Sequence, residues 1–185
     1  MKQTRTYIDQ FETADIQKIE HIFELLENLK FKKNLLRFCC QELKCSLVGG
    51  SIFGGVLIAF SALEMFVLDN YVSRHFDEDD DKYSIAIYEL EKKKVHINEL
   101  LDESVKLDFI EGADAKGLKQ LYKEWRIPLG HGLRTKGLYN SSGSVLNSLG
   151  LNSNDVVPAT WRTMETRIEA DGLDVITEIL EILVK

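Results

Sequence analysis

The sequence predicts an all-α fold: one helical bundle of five to seven helices in a single domain spanning 1–185, with residues 1–12 as a flexible or loosely packed N-terminus. Three observations carry this. Apolar residues recur at spacings of three and four along most of the chain, which places them on one stripe of a helix. Only two prolines interrupt 185 residues, and 44% hydrophobic with 29% charged content is apolar enough to fill a core and too apolar for disorder. No fixed-period repeat is present, so the helices should form an up-and-down or irregular bundle and not a solenoid.

The first element carries Ile16, Ile19, Phe23, Leu26 and Leu29, and the stripe resumes at Leu35, Leu36, Cys39 and Leu43. This is one long amphipathic helix or two joined near "KFKK", capped by Thr13 or Asp15. Gly49 and Gly50 end that element or begin the next. The following run, "SLVGGSIFGGVLIAFSAL" from Ser46 to Leu63, is eighteen residues without a charge, with Gly50 and Gly54 in GxxxG spacing, so a membrane span must be weighed. Four glycines and three serines dilute it, Lys44 and Glu64 bound it, and a stripe continues through Met65, Phe66, Leu68 and Val72 with Asp69 between. A buried central helix is the better reading.

"DEDDDK", Asp77 to Lys82, reads as a solvated acidic connector; it lacks the alternating ligands and terminal glutamate of a calcium loop. Two amphipathic stretches follow, Tyr83 to Val95 and Ile97 to Leu107, and then a turn at "IEGADAKG". Asp114 stands where an N-cap belongs, before a helix with Leu118, Leu121, Tyr122 and Trp125 on one side and Gly137 at its end. Tyr139 to Asp155 is dense in serine, asparagine and glycine, as exposed loops are. A last helix starts near Asp155 and Pro158 and turns Ile176, Ile179, Leu180 and Leu183 to the core.

Net charge is −7 and the pI about 5.2, which excludes a general basic field for nucleic acid or anionic membrane; such binding must be local. Cys39, Cys40 and Cys45 are odd in number and have no zinc spacing, which suits a reduced, cytoplasmic chain. The first residues lack the apolar stretch of a secretory signal. Nucleophile elbow, phosphate loop and HExxH motifs are absent from the sequence, and the neighbouring Asp102 and Glu103 fall on a solvated face. No metal or other cofactor is expected.

The stretch with most chemical capacity is "WRIPLGHGL", Trp125 to Leu133. Pro128 cannot donate to the carbonyl of Glu124, so it should kink the helix. In a straight helix Arg126 and His131 would point about 140° apart. A bend at Pro128 and Gly130 brings a permanent cation and a group that titrates near neutrality into one cleft. That pair suits attack on a phosphodiester, the histidine moving protons and the arginine steadying phosphoryl charge.

"LYKEWRIPLGHGL" resembles the signature helix of the HEPN superfamily, an arginine followed after four to six residues by histidine and often glycine; here these are Arg126, His131 and Gly132. The resemblance extends to an apolar helix with an embedded acid, "AFSALEMFVLDNYVSR", ahead of the motif, and to a terminal helix after it. It implies a metal-independent endoribonuclease, often of a toxin or phage-defence system, whose composite site lies at a homodimer interface. In that reading His131 is the acid/base and Arg126 the phosphate stabiliser. Ile127 departs from the pattern, where a small polar residue is usual. RNA would be met by Lys123, Arg134, Lys136 and Arg74, with Arg162 and Arg167 approaching from the last helix. A cognate antitoxin or other protein is a further expected partner.

The alternative is a catalytically inactive dimerisation or interaction module of the same fold. In it His131 is a surface or capping residue, and Arg126 pairs with Glu124 or with a glutamate across the bundle. His21 reads as solvated among glutamates, His75 as part of a charge cluster at a helix end or an RNA contact, and His96 as lacking a local partner. Cys39 and Cys40 read as core.

Overall fold

The computed structural model describes residues 12–29, 34–75, 82, 85, 86, 88, 89, 96–127, 129 and 153–185; 34, 35, 74, 75 and 153–165 are described by backbone alone. Among the described residues there is no strand, and the fold is an all-α bundle. Its helices are α1 (Thr13–Asn28), α2 (Asn34–Val48), α3 (Ile52–His75), α4 (Ile97–Lys106), α5 (Gly112–Leu121) and α6 (Ser153–Val184). A π-helical turn, Tyr122–Arg126, continues α5.

The first stripe is therefore divided between two helices. α1 starts one residue before a Thr13 cap would place it and three before an Asp15 cap would: Glu12 is the N-cap and makes no side-chain cap bond, while Asp15 sits in the first turn, where its charge complements the helix N-terminus. α1 buries Ile19, Ile22 and Leu26. On α2 the buried face is Leu36, Cys40, Leu43 and Leu47, so Cys40 is core, Cys39 is half-buried and Cys45 is exposed.

The uncharged run from Ser46 to Leu63 is broken by a turn. Ser51 N–H donates to the Ser46 carbonyl and Gly50 N–H to that of Leu47, each at 2.9 Å, the paired bonds of a Schellman stop, with Gly50 at φ 79°. Ser51 Oγ then accepts from Gly54 N–H at 3.1 Å and caps α3. Gly50 thus belongs to the turn, and the GxxxG spacing does not lie on one helix. The same stop ends α4: Phe109 N–H donates to the Ser104 carbonyl and Asp108 N–H to that of Val105, with Asp108 taking the left-handed position at φ 57°.

α3 is the central element, packed by α2 on one side, α6 on another and α4 on a third. By length and composition its Ile52–Ser73 span could cross a membrane; in this bundle Val56, Ala59, Phe60, Leu63, Val67 and Val72 are covered by the neighbouring helices. Close approach depends on small residues. A Cβ on Gly55 would lie 3.0 Å from Leu47 Cδ2 and 3.1 Å from Ile176 Cδ1, and one on Gly172 would lie 2.6 Å from Ile52 Cγ2. α6 buries Ile176, Ile179, Leu180 and Leu183, as its spacing predicts. Ion pairs at the rim tie Lys18 of α1 to Asp174 of α6, Lys44 of α2 to Glu27 of α1, and Lys185 to Asp114. Asp114 is not the N-cap of α5, which is Glu111; it lies in the first turn and holds the end of α6 instead.

Of the acidic connector Asp77 to Lys82 only Lys82 is described, and it is helical; of the loop Tyr139 to Asp155 only 153–155 are described, and they already belong to α6, which starts two residues before Asp155.

Candidate functional site

The site is built where α5 runs into the π-helical turn and meets α3. The bundle needs Ala115, Leu118, Leu121 and Trp125 inside, and all four are buried. This leaves Tyr122 and Arg126, four residues apart on the adjacent flank, facing α3. Both donate to one atom there: Tyr122 Oη to Glu64 Oε1 at 2.9 Å, and Arg126 Nε to the same oxygen at 3.1 Å. The Arg126 and Glu64 side chains are 27% and 32% exposed, so the pair sits at the edge of the core with a solvent path. Phe60, fully buried one turn before Glu64, packs edge-on against the Tyr122 ring with centroids 5.9 Å apart. Burial first, and then the Glu64 charge and hydrogen bond, push the Tyr122 phenol up to about 12, with Arg126 opposing. Tyr122 is held as a neutral donor.

Of the alternatives left by the sequence, Arg126 takes the glutamate across the bundle. Glu124 is engaged elsewhere, by Gln120 Nε2 and by Arg167, whose Nη2 lies 3.6 Å from Oε2. Arg167 does more: Nη1 donates to the Glu124 backbone carbonyl at 3.2 Å, and its Cζ stacks 4.1 Å over the buried Trp125 ring. Pro128 has no N–H to give the Glu124 carbonyl, and the guanidinium from α6 supplies a donor. Arg167 does approach the motif, as expected, in the role of a clamp on its backbone.

Just ahead of the motif's proline the helix departs from α-helical geometry in a way the sequence does not predict. Pro128 and Gly130, where the sequence predicts a bend, lie outside the described residues; ahead of them a π-helical turn spans Tyr122–Arg126, and Ile127 N–H donates to the Tyr122 carbonyl five residues back.

The other predicted residues divide as follows. Lys123 is exposed on the π-helical turn. The backbone of Arg74 and His75 ends α3, and their side chains are outside what is described, as is that of Arg162. His131, Gly132, Arg134 and Lys136 lie outside the described residues. His21 is exposed, 3.7 Å from Glu24 and 3.5 Å from Glu181, a solvated histidine as expected. His96 has a partner after all: as the N-cap of α4 its Nδ1 accepts from Asn98 N–H at 3.4 Å. Asp102 and Glu103 are spent on Lys119 and Lys106.

Beside Tyr122 lies a feature that spacing could have revealed. An open groove of about 500 Å³ is lined by His96, Asn98, Lys116, Lys119, Gln120, Tyr122, Lys123 and Ile127. Lys116, Lys119 and Lys123 fall three and four apart, so one helical face presents all three. Sequence reasoning singled out only Lys123.

Comparison with models of known protein families, with curated proteins and with solved structures finds no match to this chain.

Proposed function

We propose that this chain is a metal-independent endoribonuclease with an HEPN-like site, using Arg126 and His131, and that it works in the cytoplasm as a homodimer in a toxin or phage-defence setting with a cognate antitoxin or other protein partner. The Arg126–Glu64 pair is one that the inactive module also predicts, so support for the ribonuclease reading comes from what lies beside it. Arg126 gives Glu64 one of its five N–H donors, and Tyr122, which shares that carboxylate, lines a groove whose described lining holds three lysines and no carboxylate.

In the proposed reaction a histidine accepts the proton of a ribose 2′-hydroxyl. The 2′-oxygen forms a bond to the adjacent phosphorus, the bond from phosphorus to the 5′-oxygen breaks, and a histidine returns a proton to that leaving oxygen. Arg126 faces the oxygens on which charge accumulates. His131 takes the acid/base role by its place in the motif, and a second copy of the motif across a twofold axis supplies the second histidine.

Purified protein incubated with labelled RNA in excess chelator tests this. Cleavage is expected, and His131→Ala should lower its rate by about 10²–10⁴-fold. RNA left intact by wild type at high protein concentration would overturn the reading in favour of the inactive interaction module, for which the exposed Ile127 at a usually polar motif position speaks.

A further inference from the structure

The groove along α5 is separate from the Arg126–Glu64 contact and has its own chemistry. Among the described residues eight line it: three lysines, one histidine, two amides, the Tyr122 ring and Ile127. No carboxylate is among them, in a chain whose net charge is −7. One acid touches a lining cation from outside, Asp102 against Lys119. Lys18, Lys44, Lys106 and Lys185, by contrast, each pair with an acid at the bundle rim. At about 1.5 Å of rise per residue the groove lysines span roughly 10 Å along the helix axis, room for more than one anionic group. The lining adds the Asn98 amide, while that of Gln120 donates to Glu124, and the Tyr122 ring and Ile127 offer apolar surface of the kind on which a base can rest. Its volume lies within the range of about 300–1,000 Å³ usual for ligand sites.

We propose that this groove binds consecutive phosphate groups, and that on the ribonuclease reading it holds the RNA strand leading to Arg126. Lys116, Lys119 and Lys123 neutralise the phosphates, and Tyr122 joins groove to site because it lines the one and bonds Glu64 in the other. The shared chemistry is a run of phosphates, whether from an RNA backbone or from a free polyphosphate.

The test uses the full chain and a fluorescent 2′-O-methyl oligouridine, which cannot be cut through a 2′-hydroxyl, so binding is read independently of cleavage. Wild type should bind with an affinity that falls as salt rises. The variant K116Q/K119Q/K123Q should weaken binding on the order of tenfold and lower the salt slope by about 2, three lysines each accounting for about 0.7 on a single strand. K116R/K119R/K123R should restore it. K18Q/K106Q/K185Q, with the same change in net charge away from the groove, should bind as wild type. Inorganic tripolyphosphate as competitor separates the sources: displacement at low concentration points to a free polyphosphate, and its failure to displace points to a nucleic acid backbone. If the groove variant binds as wild type, or if neither probe binds at low salt, the proposal is overturned. Loss of binding in the groove variant with no cleavage by wild type would sink the ribonuclease reading and leave the groove standing; cleavage that persists unchanged in the groove variant would do the reverse.

Discussion

At Tyr122, burial and the Glu64 carboxylate favour the neutral phenol, and the consequence for pH follows in sign. The phenol ionises near 10 in an unfolded chain and at about 12 in the fold, so its contribution to stability is complete below about pH 10 and is lost as pH rises toward 12. In an ultraviolet titration of the six tyrosines the last transition should vanish in Tyr122→Phe, and the stability difference between that variant and wild type should shrink between pH 10 and 12. Six tyrosines titrating together near 10 would contradict it. On the proposed ribonuclease reading Glu64 positions Arg126. Glu64→Ala leaves two donors without their acceptor and should cost about 1–2 kcal/mol, with a loss of cleavage that raising substrate concentration does not restore. The thiols make a third residue-scale case. Burial first, with Cys39 beside it, pushes Cys40 up to about 12, and burial also raises Cys39. A disulfide reagent should therefore modify the exposed Cys45 in the native protein and reach Cys40 only on unfolding. Equal rates at Cys40 and Cys45 would show that the packing of α2 is wrong.

Between elements, glycines divide into those that packing requires and those it does not. A methyl group at Gly172 would meet Ile52 Cγ2 at 2.6 Å, an atom on a branched β-carbon that cannot swing aside freely. Gly172→Ala should destabilise by about 1–3 kcal/mol despite the gain in helix propensity. At Gly117 the nearest neighbour of such a methyl is Glu178 Oε1 at 3.9 Å, so Gly117→Ala should stabilise by about 0.5–1 kcal/mol. Chemical denaturation of both checks the helix faces at once; equal effects would contradict the packing of α6 against α3. These elements were largely legible in the sequence. The spacing of Leu118, Leu121 and Trp125 and of Ile176, Ile179, Leu180 and Leu183 marks faces that are indeed buried. Other features were not, for physical reasons. An apolar run such as Ser46 to Leu63 reads the same whether one helix or two helices and a Schellman turn carry it, since Gly49 and Gly50 suit either. The π-helical turn Tyr122–Arg126 leaves no mark in the spacing of apolar residues. Glu64 was visible as an acid inside an apolar helix, but that it would face Tyr122 and Arg126 depends on how α3 and α5 are rotated, which periodicity does not report.

For the whole molecule, the lysines of α5 line a groove beside Tyr122, and the ion pairs Lys18–Asp174 and Lys44–Glu27 tie α1 to α6 and to α2. If two copies meet through the motif, their arginines repel until an anion lies between them, so sedimentation should show dimerisation strengthened by added phosphate. The central claim is chemical: RNA is cut by its own 2′-hydroxyl under the control of Arg126 and His131. The most direct measurement is the identity of the ends made by purified protein in excess chelator. The account predicts fragments with 2′,3′-cyclic phosphate and 5′-hydroxyl ends, absent with Arg126→Ala and His131→Ala and absent when the strand carries 2′-O-methyl groups. Fragments with 5′-phosphate and 3′-hydroxyl ends, or cutting of the 2′-O-methyl strand, would contradict it.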